Sequence, residues 1–238
     1  MKIIEKIAAR AQSAENPRPT IAFLGDSVTE GCFELIPRES GGFDNVFDFE
    51  SVYHKKVTKI LGILFPNASL NVVNAGVAGT NASSGLARID SDVISKKPDL
   101  TVVCFGLNDS GKEDEGILEY VDALRGIFTR LRKVGSEIIF MTPCMMAQNV
   151  SETIHPSFLA LAQKISDRQN RGVLDRYMEA ARALCNEENI PVCDVYAKWK
   201  RMSELGVNVT ELLANKLNHP TRDMHDLFAF SLIETMMS

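Results

Sequence analysis

The most constraining feature of this chain is a regular alternation of short apolar runs with longer segments in which apolar residues recur at helical spacing. The short runs are rich in Val, Ile and Phe and end at turn-forming residues, which is typical of buried strands. They predict strands at Thr20–Leu24, Leu70–Val73, Leu100–Phe105, Glu137–Met141 and Ile190–Val192, and the longer segments predict helices at Val52–Phe65, Ser83–Ser95, Gly116–Val134 and Phe158–Asn189. This order predicts an α/β fold with a central five-stranded parallel sheet, helices on both faces and right-handed crossovers.

The length and composition of the chain are consistent with one domain over residues 1–238. A chain of 238 residues with 45% apolar and 24% charged residues can bury a full core. Residues 1–19 are expected to form an N-terminal helix and lead-in, with helical spacing at Ile3–Ala14 and again at Arg222–Met237. Residues 32–51 form the one long irregular stretch. A loop of this length is either a lid or wall of an active site or a surface insertion without a catalytic role.

Charge and hydropathy exclude several classes of partner. The net charge of −5 comes from interspersed acids and bases, so no basic stripe is available for nucleic acid. No apolar run approaches the roughly 18 residues that a membrane span needs, and the N-terminus lacks an uninterrupted signal-peptide core. Five scattered cysteines without a CxxC pair favour reduced thiols over disulfides or a zinc site. We therefore expect a soluble, cytoplasmic protein.

Ligands in open parallel sheets bind beyond the carboxyl ends of the strands, so these ends are the places to search for a site. The first predicted strand ends in Gly25-Asp26-Ser27, where the glycine allows a sharp turn and Ser27 begins the next segment. Taken alone, this tripeptide favours a helix N-cap. Asp26, like Asp109 at a later strand end, is expected to cap or brace a turn.

Three further segments place polar groups at junctions between elements. The second strand runs into a glycine-containing turn in which Gly79 has an accessible backbone amide, and the third ends near Asn108. His219 precedes Pro220 ahead of the last predicted helix. Each feature alone is typical of a turn or of packing. Together with Ser27 they supply a nucleophile, a base and oxyanion donors, the complete set for acyl transfer.

These segments, "GDSVTEG", "NAGVAGTNASSGLARI", "GLND" and "HP", occur in the order found in the SGNH (GDSL-type) hydrolases, and the chain resembles that family of esterases and lipases. The resemblance implies a flavodoxin-like, three-layer α/β/α fold and a metal-independent serine hydrolase of carboxylic esters without a cofactor. It also implies that Ser27 is the nucleophile and His219 the general base. The oxyanion hole would comprise Ser27, Gly79 and Asn108.

One position departs from the family pattern. An aspartate usually stands three residues before the catalytic histidine, and this chain has Lys216 there. The acid fixes the tautomer of the histidine, so another acceptor can replace it, and we expect a backbone carbonyl to orient His219. Asp223, Asp226 and Asp194 are the alternative candidates for a third triad member.

The sequence therefore predicts a serine esterase that hydrolyses a short-acyl ester, such as an acetyl ester on a carbohydrate or another small molecule. Ser27 would form the acyl-enzyme, and His219 would activate the water that resolves it. A lipase or thioesterase for longer acyl chains is the near alternative. A catalytically impaired binding protein is another, because of Lys216. A phosphate cradle at Gly25–Gly31 is weakly supported, because the turn lacks both GK[ST] and GxGxxG.

Overall fold

The computed structural model describes all 238 residues, which form seven strands and nine α-helices. The strands are β1 (Thr20–Gly25), β2 (Cys32–Pro37), β3 (Phe43–Phe47), β4 (Asn71–Gly76), β5 (Leu100–Cys104), β6 (Glu137–Met141) and β7 (Val192–Cys193). The helices are α1 (Lys2–Gln12), α2 (Ser27–Glu30), α3 (Tyr53–Leu64), α4 (Ala82–Asp92), α5 (Ile117–Lys133), α6 (Leu159–Asn170), α7 (Val173–Glu187), α8 (Val195–Glu204) and α9 (Met224–Met237).

Five strands form a parallel sheet in the order β4-β1-β5-β6-β7, so the predicted α/β fold and all five predicted strands are confirmed. Strand β1 is fully buried between β4 and β5. Its last residue, Gly25, lies opposite Gly76 of β4 and Cys104 of β5. Because the register aligns these three strand ends, the loops that follow them leave the sheet at the same edge.

The helices pack in two groups, which gives the three-layer α/β/α arrangement. Helix α9 contacts α1, α3 and α8, whereas α5 contacts α4 and α7, and α7 contacts α6. The helix predicted over Phe158–Asn189 is divided into α6 and α7, because Gly172 has a φ of 69°, a left-handed conformation that ends a helix. Helix α8 was not predicted.

Residues 32–51 are a β-hairpin followed by a turn, which corrects the prediction of an irregular stretch. Strands β2 and β3 are antiparallel and lie outside the central sheet. Gly41 and Gly42 form the turn between the two strands, with φ values of 89° and 80° that residues other than glycine rarely adopt. The hairpin is attached to the turn 25–31, here called the nucleophile turn after its predicted nucleophile Ser27, because the backbone N–H of Asp48 donates to the carbonyl of Gly31 at 2.9 Å.

The core is continuous from the sheet to both helix groups and contains four of the five cysteines, and all five are buried and unpaired. Burial raises the pKa of Cys32, which immediately follows the nucleophile turn, to about 12. A thiol with such a pKa is not a reactive nucleophile at neutral pH. None of the nine helices has both the length and the apolar character that crossing a bilayer requires.

Candidate active site

The turn after β1 holds Ser27 at the first position of α2. The Asp26 side chain accepts a hydrogen bond from the backbone N–H of Val28 at 3.0 Å, which caps this short helix as predicted. Two glycines allow the turn to pack closely. A Cβ on Gly25 would lie 2.1 Å from the hydroxyl oxygen of Thr29, and a Cβ on Gly76 would lie 2.2 Å from the backbone nitrogen of Glu30.

Ser27 and His219 are in direct contact, although 192 positions separate them in the chain. The Oγ of Ser27 lies 2.9 Å from Nε2 of His219, and Nδ1 of the same ring lies 3.1 Å from the backbone carbonyl oxygen of Phe33 in β2. A carbonyl can only accept, so Nδ1 carries the proton and Nε2 accepts from the Ser27 hydroxyl. The carbonyl therefore fixes the tautomer that a general base requires.

Burial keeps the imidazole of His219 neutral. The residue is 5% exposed, and burial lowers its pKa to about 4. The Phe33 carbonyl and, at longer range, Glu34 oppose this effect by favouring the protonated ring. At neutral pH His219 is consequently unprotonated at Nε2 and able to accept a proton.

None of the three aspartates considered as a third triad member makes a hydrogen bond to His219. Asp194 binds an arginine of α7 at 2.8 Å and caps α8. Asp226 is paired with a lysine of α3 at 2.8 Å, and Asp223 precedes α9 without contacting the imidazole. Asp194 and Asp226 are therefore occupied by other partners, and the imidazole has no carboxylate partner among the three.

His219 lies in the loop 213–223, here called the histidine loop. This loop is organised by Asn215, a residue that the sequence motifs did not single out. Its Oδ1 accepts hydrogen bonds from the backbone N–H groups of Leu217, Asn218 and His219 at 2.9 to 3.0 Å. The adjacent Lys216 has a φ of 58°, and its ammonium group is 2.8 Å from a glutamate carboxylate rather than near the histidine ring. The position of the usual family acid therefore faces away from the site.

Three potential oxyanion donors face the same cleft. The backbone N–H groups of Ser27 and Gly79 make no hydrogen bond within the protein. Gly79 has a φ of 75° and open space around its Cα. The side-chain nitrogen of Asn108 donates to the carbonyl of Thr80 at 2.8 Å, which orients the amide and leaves its second hydrogen available. Such a set can bind a developing negative charge.

Two buried carboxyl groups support this edge of the sheet. Asp109 accepts from the backbone N–H of Ala82 at 2.9 Å, which joins two of the loops and confirms the predicted bracing role. Burial raises the pKa of Asp26 to about 7 and that of Asp109 to about 6. Their hydrogen bonds to backbone N–H groups oppose these shifts.

The cleft above these groups has a volume of about 530 Å³, within the range of small-molecule sites. Ser27, Gly79, Asn108 and His219 all line it, so the structure brings the four motif residues together. The hairpin contributes one wall of the cleft, and α6 contributes another. The other lining residues are Leu35, Phe43, Asn45, Ala78, Leu107, Gly111, Met146, Leu161, Lys164, Ile165, Arg168, Asn215, Leu217 and Asn218.

Sequence motifs identified the side chains at the floor of the cleft but not the groups that orient them. The Phe33 carbonyl is a backbone atom and has no signature in the sequence. Asn215, four residues before the histidine, offered a detectable signal, because asparagine commonly accepts backbone N–H groups in turns. Arg168 lies on a helix face that only the tertiary structure directs into the cleft.

A sequence profile of the GDSL-like lipase/acylhydrolase family matches residues 23–227, which include β1, the nucleophile turn and the histidine loop. The chain belongs to this family. The chain is also 26% identical over 191 residues to an acetylxylan esterase from Geobacillus stearothermophilus. The alignment covers 76% of this chain and 78% of that relative.

Solved structures of two esterases have the same fold as this chain. The crystal structure of an acetylxylan esterase from Geobacillus stearothermophilus superposes with a TM-score of 0.67 at 21% identity, covering 91% of this chain and 93% of that one. A two-domain esterase active on acetylated mannans gives a TM-score of 0.70 at 20% identity, covering 98% of this chain but 52% of that chain.

Proposed function

We propose that the protein is a carbohydrate acetyl esterase, a serine hydrolase that removes acetyl groups from sugar hydroxyls. The observation that carries the proposal is the continuous arrangement of Ser27 Oγ, the His219 ring and the Phe33 carbonyl, with contacts of 2.9 and 3.1 Å. Membership of the lipase/acylhydrolase family supports ester hydrolysis. The relatives that act on acetylated xylan and mannan support an acetylated carbohydrate as the substrate.

In the first half of the reaction, Ser27 Oγ attacks the carbonyl carbon of the acetyl ester while Nε2 of His219 accepts the hydroxyl proton. The tetrahedral oxyanion is held by the N–H groups of Ser27 and Gly79 and by the amide of Asn108. As the intermediate collapses, the bond to the sugar oxygen breaks and His219 returns its proton to that oxygen. The products of this half are a free sugar hydroxyl and acetyl-Ser27.

In the second half, water takes the place of the sugar. His219 accepts a proton from the water as its oxygen attacks the acetyl carbonyl, and the same donors hold the second oxyanion. Collapse breaks the bond to Ser27 Oγ, which recovers the proton from His219. Acetic acid leaves and ionises to acetate in solvent, and the free enzyme is restored.

The geometry also bears on the alternative of an impaired binding protein, which rests on Lys216 in place of the family acid. The acid normally holds the tautomer of the histidine and stabilises the imidazolium. Here the Phe33 carbonyl accepts from Nδ1 and supplies the first of these roles. A neutral carbonyl stabilises the imidazolium less than a carboxylate does, so we infer an active enzyme with a weaker base.

The proposal is tested by acetate release from acetylated xylo-oligosaccharides. We expect the wild type to release acetate and both Ser27→Ala and His219→Ala to lose about 10⁴-fold or more in kcat. Asn108→Ala should lose about 10²–10³-fold, because one oxyanion donor is removed. Ser157→Ala, on an exposed turn outside the cleft, serves as a matched control. Folded wild-type protein that releases no acetate, or undiminished release by Ser27→Ala, would contradict the proposal.

A further inference from the structure

The charge of the cleft is opposite to the charge of the molecule. The chain carries a net charge of −5, yet no aspartate or glutamate lines the cleft. Its two charged lining residues are Lys164 and Arg168, both on α6 and four positions apart, so they lie on the same face of the helix. Lys164 is exposed and forms no ion pair.

Arg168 is a buried cation with unused donors. Its exposed fraction is 8%, and its only protein partner is Glu113, at 3.4 Å from Nε. Neither of its terminal Nη groups donates a hydrogen bond to the protein. Nη1 lies beside Gly111, which lines the cleft and whose N–H donates to the carbonyl of Asn108. The free end of the guanidinium therefore lies next to the turn that carries the proposed oxyanion donor.

Glu113 contacts the guanidinium at Nε and leaves the Nη end without a carboxylate partner. Its other carboxylate oxygen is 2.8 Å from Arg171, so one carboxylate is shared by two arginines and the closer contact is to the second. Glu113 is also held in place by its backbone, which has a φ of 53° and accepts a hydrogen bond from Tyr177 at 2.6 Å. Neither Nη group is fully buried, so both reach the solvent of the cleft, where an anionic ligand can replace water as their hydrogen-bond partner.

We propose that this cleft binds acetyl esters that carry a carboxylate, namely acetylated sugars with a uronic acid group, and that Arg168 and Lys164 recognise the carboxylate. This inference rests on the proposed acetyl esterase function and specifies its substrate class. The two Nη groups present parallel N–H donors, the geometry that pairs with the two oxygens of a planar carboxylate. Lys164, one helical turn away, adds a second positive charge on the same wall.

A carboxylate is favoured over a phosphate by the position of Arg168 in the fold. It lies in the last turn of α6, where the helix presents carbonyl groups and the negative end of its dipole. Phosphate sites commonly use backbone N–H groups at a helix N-terminus, whereas Arg168 stands at the opposite end of its helix. A singly charged, planar anion is the better match to one guanidinium and one ammonium group.

The test compares acetate release from an O-acetylated methyl glucuronide and from its uronamide, which has the same shape without the charge. We expect a kcat/KM ratio of acid to amide of about tenfold or more in the wild type, as for hydrogen bonds to charged groups. Arg168→Gln should reduce this ratio to within about twofold of unity, because both Nη donors and the charge are lost. Arg168→Lys, which keeps the charge without the fork, should give an intermediate ratio.

Because Arg168 is buried, a second variant keeps the test independent of folding. Lys164→Glu reverses a charge at an exposed position of the same wall and should also lower the acid-to-amide ratio. Lys133→Glu makes the same change on an exposed position of α5, outside the cleft, and should leave the ratio unchanged. A ratio that is unaffected by Lys164→Glu and Arg168→Gln would overturn the proposal.

The test distinguishes a failure of the carboxylate site from a failure of the acetyl esterase function. If the wild type releases acetate from both compounds at equal kcat/KM, the carboxylate site is refuted and the acetyl esterase function stands. If it releases acetate from neither compound and from no neutral acetylated oligosaccharide, the proposed function itself fails. A higher kcat/KM for the corresponding acetylated 6-phosphate than for the uronate would overturn the choice of a carboxylate.

Discussion

At the scale of single residues, the distinctive feature of this family member is a neutral backbone atom at the place of the usual triad carboxylate. The Phe33 carbonyl lies 3.1 Å from Nδ1 of His219 and holds the tautomer in which Nε2 accepts from Ser27. Without a nearby carboxylate, burial dominates the pKa of His219 and lowers it to about 4. We infer that this enzyme works with a weak base that is almost fully unprotonated at neutral pH.

The lowered pKa predicts an unusual acid limb in the pH dependence of activity. The base is active when neutral, so kcat/KM for a neutral acetyl ester should stay level from pH 8 to about 5 and fall as the pH passes through about 4. Initial rates between pH 3.5 and 8 measure this limb. A limb near pH 6.5 would contradict the account, because it would indicate a solvated or carboxylate-paired imidazole.

The same rates require a check of folding at each pH by circular dichroism. Burial also lowers the pKa of His54 to about 4 and of His225 to about 3. Between pH 6.5 and these values the unfolded chain binds protons at the histidines that the folded chain does not, which lowers the free energy of unfolding as the pH falls. The raised pKa values of Asp26 and Asp109 have the opposite effect in this window, because the folded chain binds those protons first. Only rates from folded protein report on His219.

Restoring the family acid is expected to have little effect on activity. In Lys216→Asp, the new carboxylate would stand at a position with a φ of 58° whose side chain is directed away from the histidine, and Nδ1 already has an acceptor. We predict a change in kcat/KM of less than about threefold, because a complete triad would not form. Lys216→Asn, which tolerates the same backbone conformation, is the matched control. An increase of 100-fold or more in the aspartate variant alone would refute the carbonyl-oriented arrangement.

At the scale of secondary-structure elements, the site depends on how closely the nucleophile turn packs on β4. Gly76 pairs with Gly25 across the sheet and leaves room for the backbone of α2. A Cβ at Gly76 would lie 2.2 Å from the backbone nitrogen of Glu30 and 2.6 Å from its Cα. Backbone atoms cannot rotate away as a side chain can, so the short helix itself would have to move.

We therefore predict that Gly76→Ala destabilises the protein by about 2 to 4 kcal/mol and lowers kcat by at least tenfold, because the overlap displaces the turn that holds Ser27. Gly62→Ala is the matched control. A Cβ there has no neighbour within 4 Å and the site is an exposed position of α3, so the change should stabilise the protein by about 0.5 to 1 kcal/mol. Urea unfolding and acetyl ester hydrolysis measure both effects. Equal stabilities for the two variants would contradict this packing.

The elements that the sequence predicted share a strong local pattern. Strands such as β1 and β5 are continuous apolar runs, and helix α5 repeats its apolar residues at helical spacing, so each is recognisable without its neighbours. The hairpin was missed because its strands are short, partly exposed and interrupted by charges. The break between α6 and α7 depends on the left-handed conformation of Gly172, and nothing in the apolar spacing shows it.

The candidate site was predictable to the same limited extent. Ser27, Asn108 and His219 carry chemistry in their side chains and lie in recognisable motifs. Their mutual distances depend on strand register and loop closure, which a single sequence does not specify. The acceptor for Nδ1 is a main-chain atom of β2, and any residue type at Phe33 would supply it.

At the scale of the whole molecule, the hairpin and the histidine loop are joined by Arg222. Its guanidinium donates to Asp48 at 2.9 Å and to both carboxylate oxygens of Glu34, and lies 4.3 Å from the centre of the Phe33 ring. This cluster fixes the strand that carries the Phe33 carbonyl relative to His219. We infer that Arg222 is a positioning residue that acts through the hairpin.

Arg222→Met should therefore reduce kcat by about tenfold and change KM less than kcat, because a misplaced acceptor weakens the base. Partly exposed ion pairs contribute little to stability, so the free energy of unfolding should fall by only about 1 to 2 kcal/mol. Arg130→Met, which removes an exposed ion pair with Asp90 on other helices, should change neither quantity appreciably. A rise in KM with unchanged kcat would argue against a positioning role.

The central claim is that His219, oriented by the Phe33 carbonyl, activates Ser27. The most direct measurement is covalent labelling with a fluorophosphonate, followed by mass spectrometry of the peptide that carries the adduct. The account predicts one adduct per wild-type chain, located on Ser27, and no adduct in the folded Ser27→Ala or His219→Ala variants. An adduct on another residue, or labelling of His219→Ala at the wild-type rate, would contradict it.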